Sequence, residues 1–361
     1  MIIESMELQN YRNYPSLQVE FDPGTNIFYG DNAQGKTNAL EAMYVCCTTK
    51  SHRASRDREL IRFDQEEAHI KLQIRKENVP YRIDMHLKKN KPKGVAVNGI
   101  PIRKVSELFG IANVVFFSPE DLHIIKNGPS ERRRFLDLEL CQVNKLYVHA
   151  LVHYNKSLLQ RNRLLKDLSF RPEYEPTLEI WDEQLVRYGL PLMEYRKQFI
   201  EQLNVLIEGI HGKLTGNKEM LRLNYEPNVR PEEFALALKK NRESEKKQKT
   251  TLSGPHRDDI CFSINQMDIR KFGSQGQQRS AALSLKLSEI ELVKQLVHDY
   301  PILLLDDVLS ELDSGRQNHL LNSINHIQTM ITCTGLDEFI GHRFSLDRIF
   351  NVTDGTVCRE N

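Results

Sequence analysis

The sequence has 361 residues, of which 40% are hydrophobic and 27% are charged. These proportions are typical of folded proteins and exclude a disordered chain, a collagen-like repeat and a coiled-coil rod. Lysine and arginine number 50 against 49 acidic residues, so the formal net charge is only +1. Because this balance creates no overall attraction to polyanions, any binding to nucleic acid must use local basic patches.

The length favours two lobes over one, because a single hydrophobic core rarely keeps growing to this size. The six cysteines show neither a C-x-x-C pair nor a regular framework, which indicates reduced thiols rather than a zinc site or disulfides. The N-terminus does not resemble a signal peptide, and no apolar run approaches the roughly 20 residues that cross a bilayer. We therefore expect a cytoplasmic protein with no membrane partner.

The first part of the chain, to about Phe117, is rich in predicted strands. Strand-like segments occur at 17–21, 26–29, 68–75 and 81–87, and Asn98-Gly99 within 95–102 predicts a hairpin turn. We expect an α/β fold in which the strands at 68–75, 81–87 and 95–102 form a side sheet.

A glycine-rich loop follows the strand-like segment 26–29 and precedes a predicted helix that begins at Lys36. Its sequence, Gly30-Asp31-Asn32-Ala33-Gln34-Gly35-Lys36-Thr37, matches G-x-x-x-x-G-K-S/T. In such a loop, inward-facing N–H groups and the helix N-terminus surround a triphosphate, Lys36 reaches the β- and γ-phosphates, and Thr37 binds Mg²⁺. A chance glycine loop is the alternative, and the flanking strand and helix disfavour it.

Between about 129 and 249 the apolar residues fall at helical spacing among many charged residues, which predicts a helical lobe. Two proline-containing pairs, Arg171-Pro172 and Glu175-Pro176, interrupt the pattern and indicate antiparallel helices rather than one rod. We expect the charged stretch from Lys239 to Lys249 to be solvated and mobile. The predicted domains are an ATP-binding head, 1–125 with 250–361, and an inserted helical arm, 126–249.

An apolar run, Pro301-Ile302-Leu303-Leu304-Leu305, ends in two carboxylates, Asp306 and Asp307. A buried parallel strand that delivers Asp306 beside Thr37 would complete Mg²⁺ coordination, which leaves Asp307 as the candidate base for water. Alone, the pattern favours an ordinary helix cap. Together with the glycine-rich loop, it indicates a Walker B strand.

The segment Phe272-Gly273-Ser274-Gln275-Gly276-Gln277-Gln278-Arg279 precedes a predicted helix and resembles the signature loop of ABC-type ATPases. A glycine at the start of a helix is the alternative. Ser310-Glu311-Leu312-Asp313 resembles their D-loop. The resemblance implies that Ser274, Gly276 and Gln277 of one subunit act on the γ-phosphate bound by another, and hence an ATP-dependent homodimer.

Several segments together resemble the bacterial RecF recombination-repair family. They are Leu8-Gln9-Asn10-Tyr11-Arg12-Asn13-Tyr14, the glycine-rich loop, Phe116-Phe117-Ser118-Pro119-Glu120-Asp121-Leu122, Leu252-Ser253-Gly254-Pro255-His256-Arg257-Asp258-Asp259 and Leu303 to Asp313. This resemblance implies an ABC/SMC-like α/β head, with a mixed central sheet and an antiparallel side sheet, and a short inserted helical arm. The head uses ATP and Mg²⁺. It also implies work with RecO and RecR at single-strand gaps and stalled forks, where RecA is loaded, and roles in DNA replication and the SOS response.

By the same resemblance, Lys36 and Thr37 bind phosphate and Mg²⁺, Asp306 holds the metal, and Asp307 activates water. Arg12 lies where related heads place a basic residue near the nucleotide, although an ordinary surface arginine is an alternative. Asp307 stands where related ATPases have glutamate, so we expect slow, DNA-stimulated hydrolysis. Threonine also replaces the switch histidine of transporters within Met330–Thr334. This disfavours a transporter nucleotide-binding subunit, which is one alternative; a monomeric P-loop kinase is another.

Two basic clusters are candidates for binding DNA through its phosphates. The first contains Arg53, Arg56 and Arg58, and the second contains Lys89, Lys91 and Lys93. Solvated loops are the alternative. Because neither cluster carries an array of aromatic residues, we expect sequence-independent binding to double-stranded DNA or to single/double-strand junctions.

Overall fold

The computed structural model describes residues 1–336 and 346–360. Residue contacts divide the chain into two compact units, one formed by Met1–Asp121 with Lys286–Asn361 and one by Leu122–Leu285. The strands of the described residues are β1 (Ile2–Tyr11), β2 (Tyr14–Glu20), β3 (Thr25–Tyr29), β4 (Glu67–Lys76), β5 (Val79–Lys88), β6 (Lys91–Val97), β7 (Ile100–Pro101), β8 (Val114–Phe117), β9 (Leu221–Glu226), β10 (Asp259–Ile264), β11 (Met267–Asp268), β12 (Ile302–Asp306), β13 (Thr329–Cys333), β14 (Arg348–Thr353) and β15 (Thr356–Glu360).

The α-helices of the same residues are α1 (Lys36–Thr48), α2 (Leu122–Lys126), α3 (Pro129–Val143), α4 (Lys145–Asp167), α5 (Leu178–Thr215), α6 (Phe234–Lys240), α7 (Arg242–Gln248), α8 (Ile269–Phe272), α9 (Gln275–Val297) and α10 (Ser314–Ser323). Short 3₁₀ helices occur at Asp57–Leu60, Val105–Leu108, Pro119–Asp121, Pro172–Thr177, Pro231–Glu233, Pro255–Arg257 and Leu309–Glu311. The interruption predicted between the two long helices is therefore the 3₁₀ segment at Pro172–Thr177.

The first unit contains a central sheet in the order β15-β14-β3-β13-β12-β8. Its strands run parallel except β15, which is antiparallel to β14, so the sheet is mixed. Every residue of β12 is buried, as expected for a parallel strand inside a sheet. Because parallel strands end at the same edge, the carboxyl ends of β3 and β12 carry the glycine-rich loop and the paired aspartates to one side of the sheet.

A second sheet in this unit is antiparallel throughout, in the order β2-β1-β4-β5-β6-β7. Its predicted hairpin turn is confirmed, since Val97 pairs with Ile100 around the turn. Asn98 and Gly99 have φ values of 52° and 79°, and this left-handed pair is what a two-residue hairpin turn requires. The predicted fold class, an ABC/SMC-like α/β head with a mixed central sheet, an antiparallel side sheet and an inserted helical arm, is confirmed.

The second unit is built on α4 and α5, which run antiparallel. Tyr147 near the start of α4 is bonded to Arg196 of α5, and Arg161 further along α4 is bonded to Asp182 near the start of α5. Residue numbers therefore fall along α5 as they rise along α4. Residues 250–285, which we assigned to the head, lie in this unit because β10 pairs with β9 in a sheet of order β11-β10-β9. The helical spacing between 129 and 249 gave no sign of β9.

The charged stretch from Lys239 to Lys249 is not a mobile loop, so this prediction was wrong. It continues α6 and then forms α7, where Glu245 is completely buried. Glu245 lies 2.7 Å from Arg161, which also donates to Asp182 at 2.6 Å and to Thr251 at 2.9 Å. The charge-rich sequence gave no indication that the Glu245 carboxylate is buried and links α7 to α4 through Arg161.

Removal of the Arg161 guanidinium should destabilise the second unit strongly. Arg161→Leu removes the cation that pairs with the buried carboxylates of Glu245 and Asp182, so we expect a loss of about 3–5 kcal/mol of unfolding free energy. Arg163→Leu, on the exposed face of the same helix, is the matched control and should change stability by less than about 0.5 kcal/mol. Urea unfolding followed by circular dichroism measures both, and equal midpoints would contradict this account of the ion pairs.

Candidate nucleotide-binding site

The glycine-rich loop runs from Gly30 to Thr37 and joins β3 to α1. Gly30 and Gly35 have φ values of 145° and 115°, in the region that favours glycine. A Cβ on Gly30 would lie 2.4 Å from the carbonyl oxygen of Val352, and one on Gly35 would lie 2.4 Å from the amide nitrogen of Asn13. Both positions therefore require glycine for backbone conformation and for space.

Neighbouring strands brace the loop through polar contacts. Asn13 donates from Nδ2 to the Gln34 carbonyl at 2.8 Å, and the Tyr14 hydroxyl donates to the Gly35 carbonyl at 2.9 Å. The backbone N–H of Gly355, in the turn between β14 and β15, also donates to the Gln34 carbonyl at 3.2 Å. Sequence reasoning missed these braces, because nothing in one sequence links the turn to the loop.

The Lys36 side chain is buried and turns back over the loop. Its ammonium donates to the carbonyl oxygens of Gly30 at 2.5 Å and Asp31 at 3.0 Å. A cavity of about 170 Å³ lies beside it, lined by Asn32, Ala33, Gln34, Gly35, Lys36, Thr37, Asn38, Arg53 and Asp307. A helix N-terminus, a lysine and an arginine around one cavity form a site suited to a phosphate.

The carboxyl end of β12 brings Asp306 to the same place. Asp306 Oδ1 accepts from the Thr37 hydroxyl at 2.7 Å and from the Thr332 hydroxyl at 2.8 Å. Burial raises the pKa of Asp306, although these two hydrogen bonds act in the opposite direction. A carboxylate bonded to the loop threonine and lacking an ion-pair partner in the described structure supplies the oxygen ligands that Mg²⁺ prefers.

Asp307 follows immediately and lines the cavity. Its φ is 51°, in the left-handed region that aspartate and asparagine tolerate better than most residues. The Asp307 N–H donates to the Thr332 hydroxyl at 2.9 Å, and the Asp307 carbonyl accepts from Ser310 at 2.8 Å. Thr332 therefore positions both aspartates, and it lies in the segment where we noted threonine in place of a transporter histidine.

Arg12 does not line the cavity. Its Nε and Nη2 donate to Glu41 at 2.7 and 2.8 Å, and the Ser51 hydroxyl donates to the same carboxylate at 2.6 Å. Although burial alone raises the pKa of Glu41, the hydrogen bonds from Arg12 and Ser51 lower it overall. The structure thus gives Arg12 a role on the buried face of α1, and its contact with nucleotide stays a prediction.

Arg53, predicted as a DNA contact, lies in the wall of the cavity instead. Its Nη2 donates to Asn38 Oδ1 at 2.8 Å, and its Nε is 3.8 Å from Glu41 Oε1. These contacts hold the guanidinium against α1, and Arg53 shares the cavity with the glycine-rich loop. No pattern in a single sequence distinguishes such an arginine from its basic neighbours.

The other residues predicted to contact DNA differ in their exposure and in whether their charged groups already form ion pairs. Arg56, Arg58 and Lys91 are exposed, and Lys89 forms an ion pair with Glu66 at 2.8 Å. Lys93 is largely buried and donates to the Thr49 carbonyl and to Asp57 at 3.1 Å. Lys93 is therefore poorly placed to reach DNA, because its ammonium is already used inside the first unit.

The predicted signature loop belongs to the second unit and forms a reciprocal cap at the start of α9. The Ser274 hydroxyl accepts from the Gln277 N–H at 3.2 Å, and the Gln277 side chain accepts from the Ser274 N–H at 2.9 Å. Gln277 also donates to Glu219 at 2.9 Å. Ser274 and Gly276 are exposed. A hydroxyl that accepts this bond still has its own proton to donate.

Residues 2–356 match the family described as RecF/RecN/SMC N terminal domain. DNA replication and repair protein RecF of Lachnospira eligens is 60% identical over 363 residues, which cover 100% of both chains. Its counterpart in Lachnoclostridium phytofermentans is 60% identical and covers 99% of each chain. This chain belongs to the RecF family. Among solved structures, the recombination mediator protein RecF-ATP in the RecFOR pathway is 35% identical, with a TM-score of 0.93 over 99% of this chain and 97% of that one.

A second RecF structure, RecF-ATPrS in the RecFOR pathway, is 34% identical, with a TM-score of 0.92 and coverage of 100% and 98%. An Smc head domain from Pyrococcus furiosus is 17% identical, with a TM-score of 0.57 and coverage of 99% and 95%, and shares the fold. Within 1–336 and 346–360, no helix is long and apolar enough to cross a membrane.

Proposed function

We propose that this RecF-family protein is an ATP-dependent DNA-binding protein of replication and repair whose two copies close around ATP. The observation that carries the proposal is the single cavity that joins Lys36, Thr37 and Asp307, with Asp306 bonded to Thr37. The RecF relatives are named DNA replication and repair proteins, and solved RecF structures are described with ATP in the RecFOR pathway. Both findings support this assignment.

When ATP binds, the Lys36 ammonium donates to its β- and γ-phosphates instead of to the carbonyls of Gly30 and Asp31. Thr37 and Asp306 are the residues that would hold Mg²⁺, which neutralises charge on the β- and γ-phosphate oxygens. Arg53, which also lines the cavity, adds a second positive charge. Asp307 accepts a proton from the attacking water, or orients that water, and its short side chain keeps hydrolysis slow even when DNA stimulates it.

The site of one copy is completed by the signature loop of another. Ser274 is exposed at the N-terminus of α9, where its hydroxyl proton and the N–H groups near Gly276 favour an anion. Gln277 holds the loop in shape through its two bonds to Ser274. ATP between two copies therefore links nucleotide binding to dimerisation, and hydrolysis releases the pair.

We place the protein in the RecFOR pathway, with RecR as its direct partner. RecO and RecA act in the same pathway at single-strand gaps and stalled forks. A part in the SOS response is included in this proposal. DNA binding uses exposed cations for which the described part of the chain offers no competing side-chain bond, so Arg56, Arg58 and Lys91 are better candidates than Arg53 or Lys93. Contacts of this kind reach phosphates and read no sequence.

DNA binding should depend on salt, on ATP and on the first basic cluster. Arg56→Ala with Arg58→Ala should weaken binding and reduce the slope of log affinity against log salt by about 2. Lys239→Ala with Lys240→Ala removes two exposed cations from α6 and serves as the matched control. Fluorescence anisotropy with labelled duplex DNA measures both pairs. Binding that is indifferent to ATP and salt, or equal losses in the two pairs, would overturn this assignment.

The two alternatives predict different behaviour. A transporter subunit requires a membrane partner, and a P-loop kinase requires an acceptor substrate and stays monomeric with ATP. Membership of the RecF family favours neither. Analytical ultracentrifugation with ATP and with ADP separates the proposals. Only two copies that close around ATP form dimers that depend on the γ-phosphate.

A further inference from the structure

The outer face of the side sheet carries two histidines and a glutamate on adjacent strands. His69 of β4 and His86 of β5 are direct cross-strand partners, and Glu67 lies two residues before His69 on the same face. The two imidazole rings are stacked, with centroids 4.0 Å apart and planes inclined by 21°. His86 Nε2 is 3.0 Å from Glu67 Oε2, and His69 Nε2 is 3.9 Å from Glu67 Oε1.

This cluster opens onto a groove of about 850 Å³ along the same face of the sheet. Both histidines line the groove, together with residues of β1, β2 and β6. Gly94 is paired with His86 on the neighbouring strand, so no side chain covers the imidazole from that position. A ligand bound by the cluster would therefore remain accessible from the groove.

We propose that Glu67, His69 and His86 form a binding site for Zn²⁺, with at least one coordination position open to the groove. One ligand atom from each residue lies within 4.8 Å of the other two, a separation that small side-chain rotations can close around one ion. Zn²⁺ binds imidazole nitrogen and carboxylate oxygen at about 2.0–2.2 Å, and three protein ligands with an open fourth position are one of its established arrangements. The site lies outside the ATP cavity and does not depend on the proposed ATPase function.

The donor set selects among metals. Two imidazoles favour zinc, copper or nickel over magnesium and calcium, which prefer oxygen ligands. Burial lowers the pKa of His69, and a hydrogen bond from His86 lowers that of Glu67. Both directions favour the metal-binding forms, which are the neutral imidazole and the ionised carboxylate.

Neighbouring charges act on the site in opposite directions. The Lys88 ammonium lies 3.2 Å from Glu67 Oε2, so the carboxylate already attracts a cation and Lys88 would compete with a metal. Lys71 is bonded to Glu7 at 2.8 Å, and Asp84 to Arg82 at 2.9 Å, so these charges are largely compensated. Replacement of Lys88 with a neutral residue should therefore strengthen metal binding.

Calorimetric titration of the full chain with zinc chloride in excess Mg²⁺ tests the proposal. We expect one groove site per chain, with affinity about tenfold or more weaker in Glu67→Gln, His69→Ala and His86→Ala and stronger in Lys88→Gln. Zn²⁺ should raise the melting temperature of the unaltered protein more than that of His69→Ala, because a ligand that binds only the folded state stabilises that state in proportion to its affinity.

His149→Ala with His153→Ala is the matched control. These two histidines lie one turn apart on α4 with ring centroids 4.4 Å apart, an arrangement that can also bind zinc. The proposal requires that this double variant keep the zinc affinity of the unaltered protein. Loss of zinc binding in this control, or unchanged binding in both His69→Ala and Glu67→Gln, would overturn it. Glu67→Gln preserves the shape of the side chain, so its result does not depend on a change in folding.

Discussion

Asp307→Asn should lower the rate of ATP hydrolysis about 100-fold or more while leaving ATP binding intact. Asparagine has the same shape as aspartate and tolerates the φ of 51° at this position, so the backbone and its bond to Thr332 should be unchanged. What is lost is the carboxylate that accepts or orients the proton of the attacking water. Single-turnover hydrolysis and equilibrium binding of a fluorescent ATP analogue measure the two effects separately.

Asp354→Asn is the matched control for this substitution. Asp354 also has a left-handed φ, 46°, and lies in the turn that contacts the glycine-rich loop through its backbone N–H. Its side chain does not line the cavity. We expect hydrolysis close to that of the unaltered protein. If Asp307→Asn is equally active, Asp307 is not the base, and water must be activated by another group.

Ser274→Arg should abolish ATP-dependent dimers while the single chain continues to bind ATP. The loop is exposed at the start of α9, so the larger side chain occupies the space that a second copy's γ-phosphate requires. Ser274 lies outside the set of residues that line the ATP cavity, which is why binding to one copy should persist. Sedimentation velocity with a non-hydrolysable ATP analogue measures the dimer, and a nucleotide-binding assay measures the second effect.

Ser274→Thr keeps both the hydroxyl and the capability to cap α9, so it should retain dimers. Loss of the cap in Ser274→Arg costs about 1 kcal/mol, which is too little to unfold the chain. Dimers that persist in Ser274→Arg would show that the signature assignment is wrong. Dimers lost in both variants would point instead to a general disturbance of the helix start.

The sequence predicted best those parts of the site that are local. The loop from Gly30 to Thr37 has a fixed spacing, and an apolar run ending in Asp306 is typical of a buried strand. The contact between Thr37 and Asp306 followed from the rule that parallel strands end at one edge. By contrast, Arg53 reaches the cavity through Asn38 and Glu41, contacts that the fold creates and the sequence does not signal.

The same limit explains the errors in the helical lobe. Glu245 looked like one more charge in a solvated run, because its partner Arg161 is remote in the chain. Pro191, for which we made no prediction, lies inside α5 without ending it, although proline usually interrupts a helix. The tertiary contacts of a helix, which the sequence does not display, can outweigh the local helix propensity of its residues.

The central claim is that each ATP is held by Lys36 of one copy and Ser274 of its partner. The Lys36→Ala protein and the Ser274→Arg protein, each tested by itself, should not hydrolyse ATP. In a mixed dimer, one site combines the intact Lys36 of the second variant with the intact Ser274 of the first. Mixing the two inactive proteins should therefore restore hydrolysis at one site per dimer. A mixture as inactive as its components would contradict a site shared between two copies.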